Sequence, residues 1–329
     1  MDIKSVERAV NMLAGTLHMR MDFNSFNTGK QKLLIVEGQT DEKFIKGHLR
    51  DDVVCMVANK AFGTGNGFAP KPTINNKRAI IEVVYGLSVL PAIIKCPKGS
   101  EKWSVYGMID MDFDDEGSHS NTSKLFVTDT HDLETLMILT DGGLFQRIKK
   151  CAISTDDTQK ALFMAYQMGK IRQLISDEIS IEPISSGKRE VVYSSFFSED
   201  YKVSIGAVIS YINQNTEEPL SAAKEKKLVS RLLKDKSIKK CLSQEGFWKD
   251  NLESFDIQKT DDFWNVVNGH DILSLLRHIN DDARRIFKKS SMYSLNREFE
   301  MALIEAYNPS NFKKTKIYSC MVAENVVNV

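Results

Sequence analysis

The feature that most constrains this chain is a series of short, unbroken apolar runs, each followed by a turn and then by a stretch with helical spacing. Leu33-Leu34-Ile35-Val36, Val53-Val54-Cys55-Met56-Val57, Ser104 to Ile109 and Leu125-Phe126-Val127 are too short for buried helices. They also lack the apolar–polar alternation of half-exposed strands, so they read as strands buried on both faces, the situation found in parallel sheets. Between them the pattern turns helical. Phe44, Ile45, His48 and Leu49 form a stripe after the first run, with Thr40 placed as N-cap and Asp41 and Glu42 complementing the helix dipole. Ile80, Ile81, Val84 and Leu87 form a second stripe over Asn76 to Leu90, and Val6, Val10, Leu13 and Leu17 a leading one over Ser5 to Arg20. Strands and helices in alternation predict an α/β fold: a Rossmann-like parallel sheet with flanking helices.

Beyond Cys151 the pattern is mostly helical, over Thr158 to Ile175, Ala222 to Leu242, Asp262 to Ile279 and Asn296 to Tyr307, with one extended piece at Val191-Val192-Tyr193. A chain of 329 residues is long enough for two domains. The expected division is a lead-in over residues 1–30, the α/β domain over 31–150 and a mainly helical C-terminal domain over 151–329. No apolar run approaches the roughly 20 residues that span a bilayer, and the start is not a signal peptide, so a cytoplasmic protein with no membrane partner is expected. The five cysteines lie far apart with no C-x-x-C pair, which argues against a zinc ribbon or a disulfide framework.

Acids gather where the strands end. Glu37 follows the first run, Asp110, Asp112 and Asp114 follow the third, and Asp132 and Glu134 come shortly after the fourth. In open parallel sheets ligands sit at the carboxyl ends of the strands. Residues two apart on a strand point the same way, so Asp110 and Asp112, with Asp114 a further candidate, can converge on one point while Met111 and Phe113 face away. Crowded carboxylates repel unless a cation lies between them. Mg2+ suits that role, because it prefers oxygen ligands and keeps waters that substrate phosphates can displace; Mn2+ can replace it. The plain alternatives are a surface glutamate and an aspartate-rich turn capping its own backbone. Against them stands the pair V-E-G-x-x-D and I-D-x-D, both in predicted strand-to-helix contexts.

Ile35-Val36-Glu37-Gly38-Gln39-Thr40-Asp41 and Gly107-Met108-Ile109-Asp110-Met111-Asp112 resemble the two signature motifs of the TOPRIM domain, found in topoisomerases, bacterial primases and OLD-family nucleases. The resemblance covers about residues 30 to 140. It implies a general acid/base glutamate at Glu37, or a metal ligand there, and metal-binding aspartates at Asp110 and Asp112. Asp129-Thr130-His131-Asp132-Leu133-Glu134 resembles the later acidic motif of the nuclease branch, which implies that Glu134 completes the metal shell. Phe263-Trp264, Asn268 to Leu273, Leu295 to Tyr307, Phe312 and Ile317-Tyr318 resemble the C-terminal part of TOPRIM nucleases encoded beside an ABC-type ATPase in anti-phage systems of the PARIS type. That implies a metal-dependent endonuclease using one or two ions, acting on nucleic acid, tRNA first and DNA second. It also implies an ATPase subunit as partner and allows a homodimer. The chain carries no G-x-x-x-x-G-K-[ST], so ATP hydrolysis would fall to that partner.

Two rival readings remain. I-D-M-D-F also matches the Asp-x-Asp nucleophile motif of haloacid dehalogenase-type phosphatases, with Asp110 as the phosphorylated residue, but this leaves V-E-G-x-x-D without a role. A regulatory TOPRIM subunit would need none of Glu37, Asp110 and Asp112. Lysines plus arginines equal aspartates plus glutamates at 44 each, so net charge does not announce a polyanion partner. Their distribution is uneven: Lys224, Lys226, Lys227, Arg231, Lys234, Lys236, Lys239 and Lys240 face only Glu225 and Asp235. That stretch is either a solvated helix face or a phosphate-contacting surface. Lys60 and Lys77 bracket the glycine-rich segment Ala61 to Gly67, read as a rim loop, and are candidate phosphate contacts. Asp41 and Asp132 are additional candidate ligands. His131 is read as a phosphate contact or as a plain helix-start histidine, and His270 as structural.

Overall fold

Leu33, Leu34, Ile35 and Val36 are all fully buried, which is why no polar residue interrupts that run. They lie in β1 (Gln31–Val36), flanked by β2 (Val53–Val57) and β3 (Trp103–Ile109), with β4 (Leu125–Val127) beyond β3. All three pairings are parallel, giving a four-stranded sheet of order β2-β1-β3-β4. This computed structural model describes residues 3–20, 31–62, 76–88, 103–111, 123–149, 151–178, 220–234, 262–287 and 297–329, with positions 206, 209, 210, 213 and 239. The chain is thus α/β, with the parallel sheet that its apolar runs predict.

Helices α1 (Ile3–Arg20) and α4 (Asn76–Ser88) pack on the sheet face formed by Leu33, Ile35, Val105 and Ile109, together with the short α3 (Ala58–Ala61). Gly107 lies on that face. A Cβ there would stand 2.4 Å from Ile80 Cγ2 and 2.9 Å from Leu125 Cδ1, so the missing side chain is what lets α4 approach β3 this closely. Helix α2 (Gln39–Lys46) follows β1 directly. Its N-cap is Gly38 rather than Thr40, because the Asp41 carboxylate accepts the Gly38 N–H at 2.7 Å and so starts the helix earlier.

Cα packing divides the chain into one unit of Met1–Leu133 with Pro309–Val329 and a second of Glu134–Asn308. The reading from sequence set the boundary near residue 150 and assigned all of 151–329 to the second domain. The difference is twofold: residues 134–150 belong to the second unit, and the last segment returns to the sheet unit. After α12 (Pro309–Phe312) and α13 (Lys316–Ala323), Leu49 bridges Val327, and the Arg50 N–H donates to the Val326 carbonyl. Lys32 Nζ donates to the carbonyls of Glu324 and Asn325 at 3.1 and 2.7 Å, and Phe312 packs edge-on to Phe44.

Among the described residues, every regular element of the second unit is helical: most of α5 (Leu133–Thr140), α6 (Thr155–Glu178), α7 (Ala222–Leu232), α8 (Phe263–Val266), α9 (Gly269–Ile279), α10 (Asp281–Ile286) and α11 (Arg297–Ala306). The pattern over Asp262 to Ile279, read as one helix, is two. Val267 is extended and Asn268 caps α9, its side chain accepting the His270 N–H at 2.9 Å. Helices α8 and α9 pack on α6, and Phe299 of α11 stacks on Phe287. The extended piece at residues 191–193 lies outside the described residues. No described helix is long and apolar enough to cross a membrane.

Candidate active site

Because β1 and β3 are neighbours in parallel register, with Val36 opposite Met108, their carboxyl ends emerge side by side. Glu37 and Asp110 occupy those ends, and the structure joins them: Glu37 Oε1 accepts the Asp110 N–H at 2.9 Å. The carboxylate is therefore held across the neighbouring strand end. Both side chains are half-buried, whereas Ile109 and Met111 on either side of Asp110 are buried, in keeping with strand alternation.

The first turn of α4 braces both strand ends. Asn76 Nδ2 donates to the Glu37 carbonyl at 3.2 Å, and Lys77 Nζ donates to the Met111 carbonyl at 3.4 Å. Lys77 is 8% exposed. It is not the solvated rim lysine that its sequence context suggests: its ammonium is carried inward to the Met111 carbonyl at the end of β3. On the other side, Thr128 Oγ1 accepts the Met111 N–H at 3.0 Å and donates to the Thr130 carbonyl at 2.7 Å, tying β4 to the same edge.

The remaining candidates are distributed differently. Asp41 spends an oxygen on the α2 cap. Lys60 is exposed and lies 3.8 Å from Glu42. His131 and Asp132 are buried, with His131 Nδ1 3.5 Å from Asp132 Oδ2, so the histidine presents no surface to a phosphate. Asp129, read only as the start of the acidic motif, accepts the Lys316 and Ile317 N–H groups at 2.6 and 2.8 Å and seats the first turn of α13. Glu134 stands with His270 and Glu300, their ligand atoms all within 4.8 Å of one another. Lys234 and Lys239 are exposed, as are Lys224, Lys226, Lys227 and Arg231 on α7, opposite buried Leu228 and Leu232. Asp112, Asp114, Lys236, Lys240 and residues 63–67 lie outside the described residues.

Sequence reasoning missed the inward course of Lys77, the brace from Asn76 and the company of Glu134. Nothing local distinguishes a lysine in a helix's first turn that turns inward from one that turns out. Glu300 sits in an ordinary amphipathic stretch, so only packing could have singled it out.

At the sheet edge the available donors are carboxylate oxygens, hard ligands at half-buried positions open to water, and this fits Mg2+ or Mn2+. No protein-family model matches the chain, and no curated protein matches it in sequence.

Proposed function

We propose that the chain is a metal-dependent endonuclease of TOPRIM type, acting on nucleic acid at the carboxyl edge of the sheet. The single observation that carries this reading is the Glu37 carboxylate laid across the Asp110 backbone, which gathers two acids from separate motifs at one edge. Glu37 and Asp110, with Asp112, are the residues that would hold one or two Mg2+ or Mn2+ ions. A bound ion supplies neutralisation of charge at a phosphodiester and a more acidic water.

The protein's own groups have defined tasks in this scheme. Glu37 either takes a proton from the attacking water or shares an ion, and its fixed orientation serves both roles. Asn76 and Lys77 keep the two strand ends together through the Glu37 and Met111 carbonyls. The exposed Lys224, Lys226, Lys227, Arg231, Lys234 and Lys239 are suited to backbone phosphates, which a carboxylate edge by itself repels. The sequence resemblance puts tRNA ahead of DNA as substrate and an ABC-type ATPase as the controlling partner in anti-phage defence.

The test incubates purified chain with labelled tRNA, plasmid and single-stranded DNA, with Mg2+ or Mn2+ and with EDTA. Cleavage that needs the metal and falls at least about 100-fold in both Glu37→Gln and Asp110→Asn supports the reading. If neither variant loses cleavage, or if a phosphorylated Asp110 accumulates with a phosphate monoester, the nuclease assignment is wrong. Recovery of an ATPase on pull-down from cells carrying the neighbouring genes tests the partner.

A further inference from the structure

Three helices of the second unit bring together a mixed set of donors: the sequence resemblance assigns Glu134 to the nuclease metal, but the structure groups it with His270 and Glu300, neither of which that reading uses. Glu134 comes from the first turn of α5, His270 from the start of α9 and Glu300 from α11. One ligand atom of each lies within 4.8 Å of the other two. His270 Nδ1 is already 3.1 Å from Glu300 Oε1. Ligand atoms about 2.1 Å from a common tetrahedral ion stand about 3.4 Å apart, so the group closes around one with side-chain adjustments alone.

Burial and charge narrow the choice of occupant. Glu134 and Glu300 are 4% and 7% exposed, while the His270 side chain is 35% exposed. Two buried carboxylates this close repel each other. A divalent cation with neutral imidazole as third ligand would relieve that repulsion. The partly exposed ring leaves the group open to solvent on the His270 side. A nitrogen donor beside two carboxylates selects a first-row transition ion over Mg2+, which prefers oxygen alone.

The geometry points to a Zn2+- or Mn2+-class cation site formed by Glu134, His270 and Glu300. Placement of these helices is thereby coupled to metal. The rival arrangement is a plain His270–Glu300 ion pair with Glu134 as neighbour, which needs no ion.

The experiment titrates the full chain with Zn2+ against a chromophoric chelator, in excess Mg2+ to occupy carboxylate-only sites, and records the visible spectrum with Co2+ as substitute. The expected result is one Zn2+ per chain whose affinity falls at least about 10-fold in His270→Ala and in Glu300→Gln. Under the same conditions Glu37→Gln/Asp110→Asn should retain it. Absence of Zn2+ binding and of a Co2+ absorption band in the wild-type chain overturns the site. Undiminished binding in His270→Ala does the same, as does loss of the same ion in the Glu37→Gln/Asp110→Asn chain. Should His270→Ala fail to fold, the wild-type Co2+ spectrum and the Glu300→Gln titration still decide. Because the readout is binding, failure here leaves the nuclease reading standing, and failure of the nuclease assay leaves this site standing.

Discussion

Replacing Gly107 by alanine isolates the contact that aligns α4 with the sheet edge. The new Cβ would lie 2.4 Å from Ile80 Cγ2, 2.9 Å from Leu125 Cδ1 and 3.1 Å from Val84 Cγ2. Carbon atoms pack best at about 3.5–4.0 Å, so the Ile80 methyl must retreat by about 1 Å or more. Ile80 and Val84 are fully buried. In an open strand, alanine for glycine gains roughly 0.5–1 kcal/mol in backbone terms. Overpacking costs roughly 1–3 kcal/mol, and with three groups crowded the clash should win, for a net loss of about 2 kcal/mol. Hydrogen exchange of β3 and α4 amides reads this unit directly. The same shift draws Asn76 and Lys77 away from the strand ends they hold, so the cleavage proposed for that edge should fall while the acids remain. Ile80→Ala removes the clashing methyl, and the double variant should be more stable than the sum of the singles by at least about 1 kcal/mol. An unchanged or stabilised Gly107→Ala, or strict additivity with Ile80→Ala, would refute the reasoning.

Asp129→Ala leaves the Lys316 and Ile317 N–H groups without their acceptors, and should cost about 1–2 kcal/mol and speed hydrogen exchange through α13; unaltered exchange there counts against the cap. His48 packs against Phe44 and Phe312, and burial, then Lys313, holds its imidazole below the usual 6.5. The unfolded chain takes up this proton first, so the stability tied to His48 is complete above about 6.5 and declines as pH falls through the lower folded value. His48→Leu should flatten the decline in melting temperature between neutral and mildly acidic pH, and an identical decline would exclude His48 as its source. Burial, then Glu42, pushes the Cys55 thiol up to about 12, so iodoacetamide at pH 8 should spare Cys55 and modify exposed Cys320, as peptide mass spectrometry can show.

The local code was enough for the sheet and for the position of its acids. Leu33 to Val36 are apolar throughout because β1 has a strand on each side and is fully buried, and that requirement is visible residue by residue, whereas β2 is an edge strand whose middle residues are half-buried. Glu37 and Asp110 follow such runs directly, so their place at the carboxyl edge follows once the strands are known to be parallel. What the sequence could not contain is any distance between segments far apart in the chain. Which strands are neighbours decides that Glu37 reaches Asp110, and the glycine at 107 matters only because α4 lies over it. The return of residues 309–329 to the sheet unit combines backbone pairing between Leu49 and Val327 with side-chain contacts of Lys32, Phe44 and Asp129, none of which a local pattern names. The inward turn of Lys77 and the meeting of Glu134, His270 and Glu300 are likewise products of packing. A charged side chain's surroundings are set by whichever helices arrive beside it, and only the folded chain decides that.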